Sequence, residues 1–144
     1  MLDVNHDGRP DIVTTMGHDY GVRWFEQQPD GGWAPHVIDS SWALAHASVL
    51  ADVNGDGRAE LITGKRAQAR GPAGSETEPL VLYWYEPRAS GAAGVEWIRQ
   101  VIHAGGDVGG GLQVRAADVD ADGDLDAVAS GKTGLFLVEN ETVR

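Results

Sequence analysis

A nine-residue pattern, D-x-[DN]-x-D-G-x-x-[DE], occurs three times. Each copy runs into a short apolar segment: "DVNHDGRPDIVT" from Asp3, "DVNGDGRAELIT" from Asp52 and "DVDADGDLDAVA" from Asp118. Repetition on this scale points to stacked copies of one supersecondary unit. The segments leaving the loops are short and bounded by turn residues, so they read as strands.

The charge in these loops demands a partner. Eleven of the chain's 22 acidic residues fall inside the three nine-residue copies, and like charges so close repel strongly unless neutralised. Positions 1, 3, 5 and 9 supply side-chain oxygens: Asp3, Asn5, Asp7 and Asp11; Asp52, Asn54, Asp56 and Glu60; Asp118, Asp120, Asp122 and Asp126. Position 7, filled by Arg9, Arg58 or Asp124, would offer its backbone carbonyl. An all-oxygen set of this size suits Ca2+ better than Zn2+ or Mg2+. Position 6 is Gly8, Gly57 or Gly123, where a sharp turn requires positive φ. A metal-free Asp-rich turn would explain one such loop; three copies with the same ligand spacing favour a cation. The third loop, with four carboxylates among its ligand positions, is expected to be the tightest.

An EF-hand is excluded, because position 12 must be a bidentate Glu and is here Thr14, Thr63 and Ala129. The flanking segments are also strands where that motif needs helices.

Beyond each loop strand the alignment continues. A second segment follows at "GVRWFEQ", "LVLYWYEP" and "GLFLVEN", and a third at "WAPHVID" and "WIRQVIH"; apolar stretches lead into the second and third loops. One unit therefore holds four strands. The expected division is residues 1–40 for a unit lacking its first strand, 46–103 for a complete one with an insertion at 65–79, either a floppy surface excursion or a binding loop over one face, and 112–144 for one lacking its last. Four short antiparallel strands per repeat are the pattern of a β-propeller blade, so the expected fold is all-β, a partial propeller of about three blades within one segment, 1–144.

Other classes fall away. A net charge of −11 opposes nucleic-acid binding, which needs a basic face. No apolar run reaches membrane-spanning length and no signal peptide is visible. The absence of cysteine removes disulfides and thiolate metal sites.

The Asp loops together with "WxxHVID", "WFE", "WYEP", "TGKR" and "GLFLVEN" resemble the FG-GAP/VCBS repeat family, whose blades carry a calcium loop between their first and second strands. Within it the chain is similar to bacterial VCBS-type proteins and to the propeller part of fungal aldos-2-ulose dehydratases. The resemblance implies a calcium-binding propeller module, from a secreted or periplasmic protein, that binds or scaffolds a glycan or protein ligand. It also implies self-association or further blades, since three incomplete blades cannot close a ring.

Candidate ligand-binding residues are His18, Trp42 and Arg115; Trp42 is placed on the connection between blades, where it would stack on a sugar or, the favoured reading, pack against the neighbouring blade. The resemblance to dehydratases implies an alternative, a lyase acting on keto-sugars. In that reading His46 or His18 is the base and Lys65 and Arg66 steady an enolate or oxyanion. Trp24, Trp33, Trp84 and Trp97 recur at matching strand positions and are expected to pack between blades.

Overall fold

The computed structural model describes residues 2–91 and 94–141. The extreme ends of the first and third expected units, residue 1 and residues 142–144, lie outside the described residues.

Among the described residues ten strands form three antiparallel sheets. The first holds β1 (Ile12–Thr15), β2 (Tyr20–Gln27) and β3 (Trp33–Ala43). The second holds β4 (Ala45–Ala51), β5 (Glu60–Lys65), β6 (Val81–Ser90) and β7 (Gly94–Ala104). The third holds β8 (Gln113–Ala117), β9 (Asp126–Gly131) and β10 (Gly134–Val138). Strands neighbouring in sequence are neighbours within each sheet, as connections this short dictate. This is a partial propeller.

The middle sheet explains why its strands lack clean polar alternation. Every residue of β5, "ELITGK", is buried, because both faces of the sheet are covered. Ala45, Leu61, Val81 and Tyr85 meet Val22 and Trp42 of the first sheet. Ile62, Leu82 and Ala47 meet Val114, Ala127 and Ala129 of the third. Each fully buried Leu, Ile or Val in these seams contributes roughly 1.5–3 kcal/mol relative to exposure. At the second seam the backbones touch. A Cβ at Gly64 would lie against the Gly110 N and 2.7 Å from the Val81 carbonyl oxygen, so only glycine fits.

Among the described residues nothing covers the outer faces of the first and third sheets in this way. Ile12, Val37, Leu135 and Leu137 are exposed.

Three expectations are corrected by the packing. Trp42 is not on a connecting loop; it ends β3 and is buried, its indole N–H donating to the Tyr85 hydroxyl at 2.8 Å, so neither ring face is offered to a sugar. Trp33 is 44% exposed, because it begins β3 at the rim, where no neighbouring sheet reaches. The 65–79 insertion is neither floppy nor detached. Lys65 Nζ, almost fully buried, donates to the Ser75 carbonyl and to Glu78 Oε2, both at 2.7 Å, while Tyr20 donates to Glu78 Oε1 at 2.8 Å. Burial tends to raise the Glu78 pKa, but Lys65 and Tyr20 outweigh it and hold the carboxylate low.

Candidate metal centres and the opposite strand ends

The three Asp loops share one hydrogen-bond frame. The position 6 N–H donates to the first Asp: Gly8 to Asp3 and Gly57 to Asp52, each at 2.9 Å, and Gly123 to Asp118 at 3.1 Å. The position 5 N–H donates to position 3, from Asp7 to Asn5, from Asp56 to Asn54 and from Asp122 to Asp120. The position 7 N–H returns to position 5, from Arg9, Arg58 and Asp124. Finally the position 2 N–H reaches the buried carboxylate at position 9: Val4 to Asp11, Val53 to Glu60, Val119 to Asp126.

This frame needs left-handed backbone twice. Position 6 has φ of 87°, 87° and 96° at Gly8, Gly57 and Gly123, and position 4 has 60°, 75° and 66° at His6, Gly55 and Ala121. The glycine requirement at position 6 is readable in the sequence. That at position 4 is not, since His and Ala occupy it in two copies.

The second and third loops gather their acids. One carboxylate oxygen each from Asp52, Asp56 and Glu60 lies within 4.8 Å of the others, and the same holds for Asp118, Asp120 and Asp126. Among the described residues none of these six is ion-paired with Lys or Arg. Two such charges at ~4 Å repel by about 4 kcal/mol at an effective dielectric of 20. Burial, with Asp56 and Asp52 adding to it against the Val53 N–H, pushes Glu60 up to about 7. Asp126 is held low by the Asn140 and Val119 N–H groups. An all-oxygen, uncompensated carboxylate set fits a hard divalent cation.

The first loop differs at position 7. The Arg9 guanidinium pairs with Asp7, and its Nε donates to the Gln27 carbonyl at 2.8 Å. Asp7 also accepts from the Asn5 amide at 3.0 Å. This loop carries its own cation. Arg58 makes no equivalent pair among the described residues, and Asp124 has the opposite charge.

Loops two and three face each other. Asp52, Asn54, Gly123 and Asp124 border a shared cleft of about 150 Å³, and the Asn140 amide, fixed after β10, donates to the Val53 carbonyl at 2.8 Å and to Leu125 at 3.3 Å. No local pattern singles Asn140 out in the sequence.

At the other end of the strands the proposed lyase constellation is split. Arg66 Nη1 donates to His46 Nε2 at 2.9 Å, and the His18 and His46 rings stand edge-to-face at 5.8 Å. Lys65, adjacent in sequence, is committed to Ser75 and Glu78. His18, His46 and Arg66 come together; Lys65 does not join them. Arg115 lies elsewhere, on the exposed face of β8.

His36 stacks on Trp24 at 4.3 Å and pairs with Glu26, which accounts for it structurally.

Among the described residues no helix is long and apolar enough to cross a membrane. Neither a curated protein nor a solved structure matches the chain. Residues 3–63, from the first Asp of loop one through loop two into β5, match the family model of the FG-GAP-like repeat.

Proposed function

We propose that this chain is a calcium-binding, FG-GAP-type propeller segment that serves an extracytoplasmic protein as a binding or scaffolding module. The observation that carries the reading is the pair of loops two and three, each gathering three unpaired carboxylates in one shared hydrogen-bond frame. In the second, Asp52, Asp56 and Glu60 would hold the ion, with Asn54 at hand; in the third, Asp118, Asp120 and Asp126. Calcium there supplies positive charge that cancels the repulsion and locks β4 to β5 and β8 to β9. Exposed Ile12, Val37, Leu135 and Leu137 on the outer sheet faces support association with further blades or a second copy.

Isothermal titration of chelator-stripped protein with calcium, followed by thermal melts, tests the reading. Binding with a rise in Tm that grows with free calcium is expected. An unmoved melting curve across millimolar calcium would refute it.

A further inference from the structure

Seven residues of β4, about 20 Å of strand, separate the calcium loop from a second cluster. Three irregularities of the backbone build it. Leu44, buried between β3 and β4, has φ of +66°, a conformation that non-glycine residues avoid and that needs support from its surroundings. Its N–H donates to the Asp19 carbonyl at 3.1 Å, and its carbonyl accepts from the Arg66 N–H at 3.0 Å, so this residue ties the β1–β2 turn to the end of β5. The β4–β5 register slips between Ala45 and Ala47, making His46 the residue a bulge re-aims. Gly17 leaves the space for its ring, since a Cβ there would stand 3.1 Å from His46 Cδ2.

The chemistry of the cluster follows from its partners. A guanidinium only donates, so His46 Nε2 accepts, and its proton sits on Nδ1. The Arg70 carbonyl only accepts, so His18 Nδ1, 2.8 Å away, carries a hydrogen and leaves Nε2 for another partner. The His46 imidazole is therefore neutral in this arrangement, and Arg66 supplies one positive charge. Among the described residues its guanidinium has no carboxylate partner, its hydrogen-bond partner is His46, and its buried Nε has none. Nearby acids are otherwise engaged or exposed: Glu78 is neutralised by Lys65, Asp19 accepts from the Tyr20 N–H, and Glu76 faces solvent across a cavity of about 200 Å³ that Arg66 also borders. Burial, then Arg66 and His18, hold the His46 pKa below its ordinary value, in keeping with the neutral form.

One positive charge beside one open ring nitrogen makes a specific complement. We propose that Arg66, His46 and His18 form a recognition site for a hydroxy-carboxylate, the group carried by acidic sugars and small hydroxy acids. The carboxylate meets Arg66, which His46 Nε2 holds in place, and a hydroxyl bonds to His18 Nε2. A single guanidinium matches a monoanion better than a phosphate dianion.

The test is titration of the full chain with sodium D-galacturonate, lactate, galactose and inorganic phosphate at fixed calcium. Binding of galacturonate alone identifies a sugar acid, and equal binding of lactate a small hydroxy acid; either supports the site. Arg66→Gln is expected to weaken binding about tenfold or more, a charge-assisted hydrogen bond being lost. His18→Ala, on an exposed turn where folding is not at stake, is expected to weaken it roughly 3–10-fold. Equal affinity for galactose, tighter binding of phosphate, or an Arg66→Gln protein that binds like the parent would overturn the proposal, as would no binding of either acid. Arg88→Gln, which removes an exposed cation near the end of β6, is expected to leave this binding unchanged, and because calcium binding is titrated separately, the two readings fail independently.

Discussion

The Tyr85 hydroxyl donates to Asp39 Oδ2 at 2.8 Å while accepting the Trp42 indole N–H at the same distance, so one buried phenol joins β6 to β3 across the first seam. Arg99 completes the lock, donating to Asp39 at 3.0 Å and to Ser41 at 2.8 Å, with its guanidinium 5.0 Å from the Tyr83 ring centre. Tyr85→Phe keeps the ring and removes the hydroxyl. It leaves the Trp42 N–H without its partner, and urea unfolding is expected to show a loss of about 1–3 kcal/mol.

Asp39 gives the same seam an acid limit. Burial tends to raise its pKa, but the Ser41 N–H and hydroxyl, Tyr85 and Arg99 outweigh it and hold the carboxylate below its ordinary value. A depressed folded pKa means that the stabilisation is present above the unfolded value, near 4, and is lost as pH falls through the folded one. Thermal melts between pH 7 and pH 2 are expected to drop more steeply at the acid end for the parent than for Asp39→Asn. Parallel curves would show that this carboxylate does not matter.

Position 3 of the loops offers a conservative probe of calcium. Asp120 accepts the Asp122 N–H through Oδ1, a role that Asn54 fills in loop two and Asn5 in loop one. Asp120→Asn therefore keeps the frame and removes one charge. Calcium affinity of the third loop is expected to fall roughly tenfold, as ligand charge tunes such sites, while the chelator-treated Tm stays level or rises. Titration calorimetry and paired melts measure both.

Arg9 is expected to hold the first loop out of calcium binding. Arg9→Gln frees Asp7 from its internal cation and should raise the calcium stoichiometry by one site, read by calorimetry. An unchanged stoichiometry would mean that something other than Arg9 sets the behaviour of this loop.

At the second seam, Gly64→Ala drives a methyl between the Gly110 backbone of the β7–β8 connection and the Val81 carbonyl of β6, where the packed backbones leave no room. A loss of about 3 kcal/mol or more is expected, seen as a lowered urea midpoint or failure to recover soluble protein. Gly57, with nothing within 4 Å of its built Cβ but φ of +87°, should cost less on the same change, about 1–2 kcal/mol.

Much of this protein is written locally. The loop frame closes within seven residues of chain, from Val4 to Asp11 or Val119 to Asp126, so ligand spacing, the turn glycine and the following strand appear together in any nine-residue window. The β-architecture was legible for the same reason: four apolar segments per repeat mark a sheet that must stack on another. What stayed hidden depends on partners far along the chain. Trp42 looks free in "SSWALAH" until Tyr85, 43 residues later, takes its N–H. Lys65 and Arg66 look alike in sequence, yet Lys65 is committed to Glu78 and Arg66 to His46. Side-chain chemistry within one turn is fixed by bonds between neighbours, whereas the choice of partner across a seam is made only when sheets pack, because burial decides which polar groups must find each other.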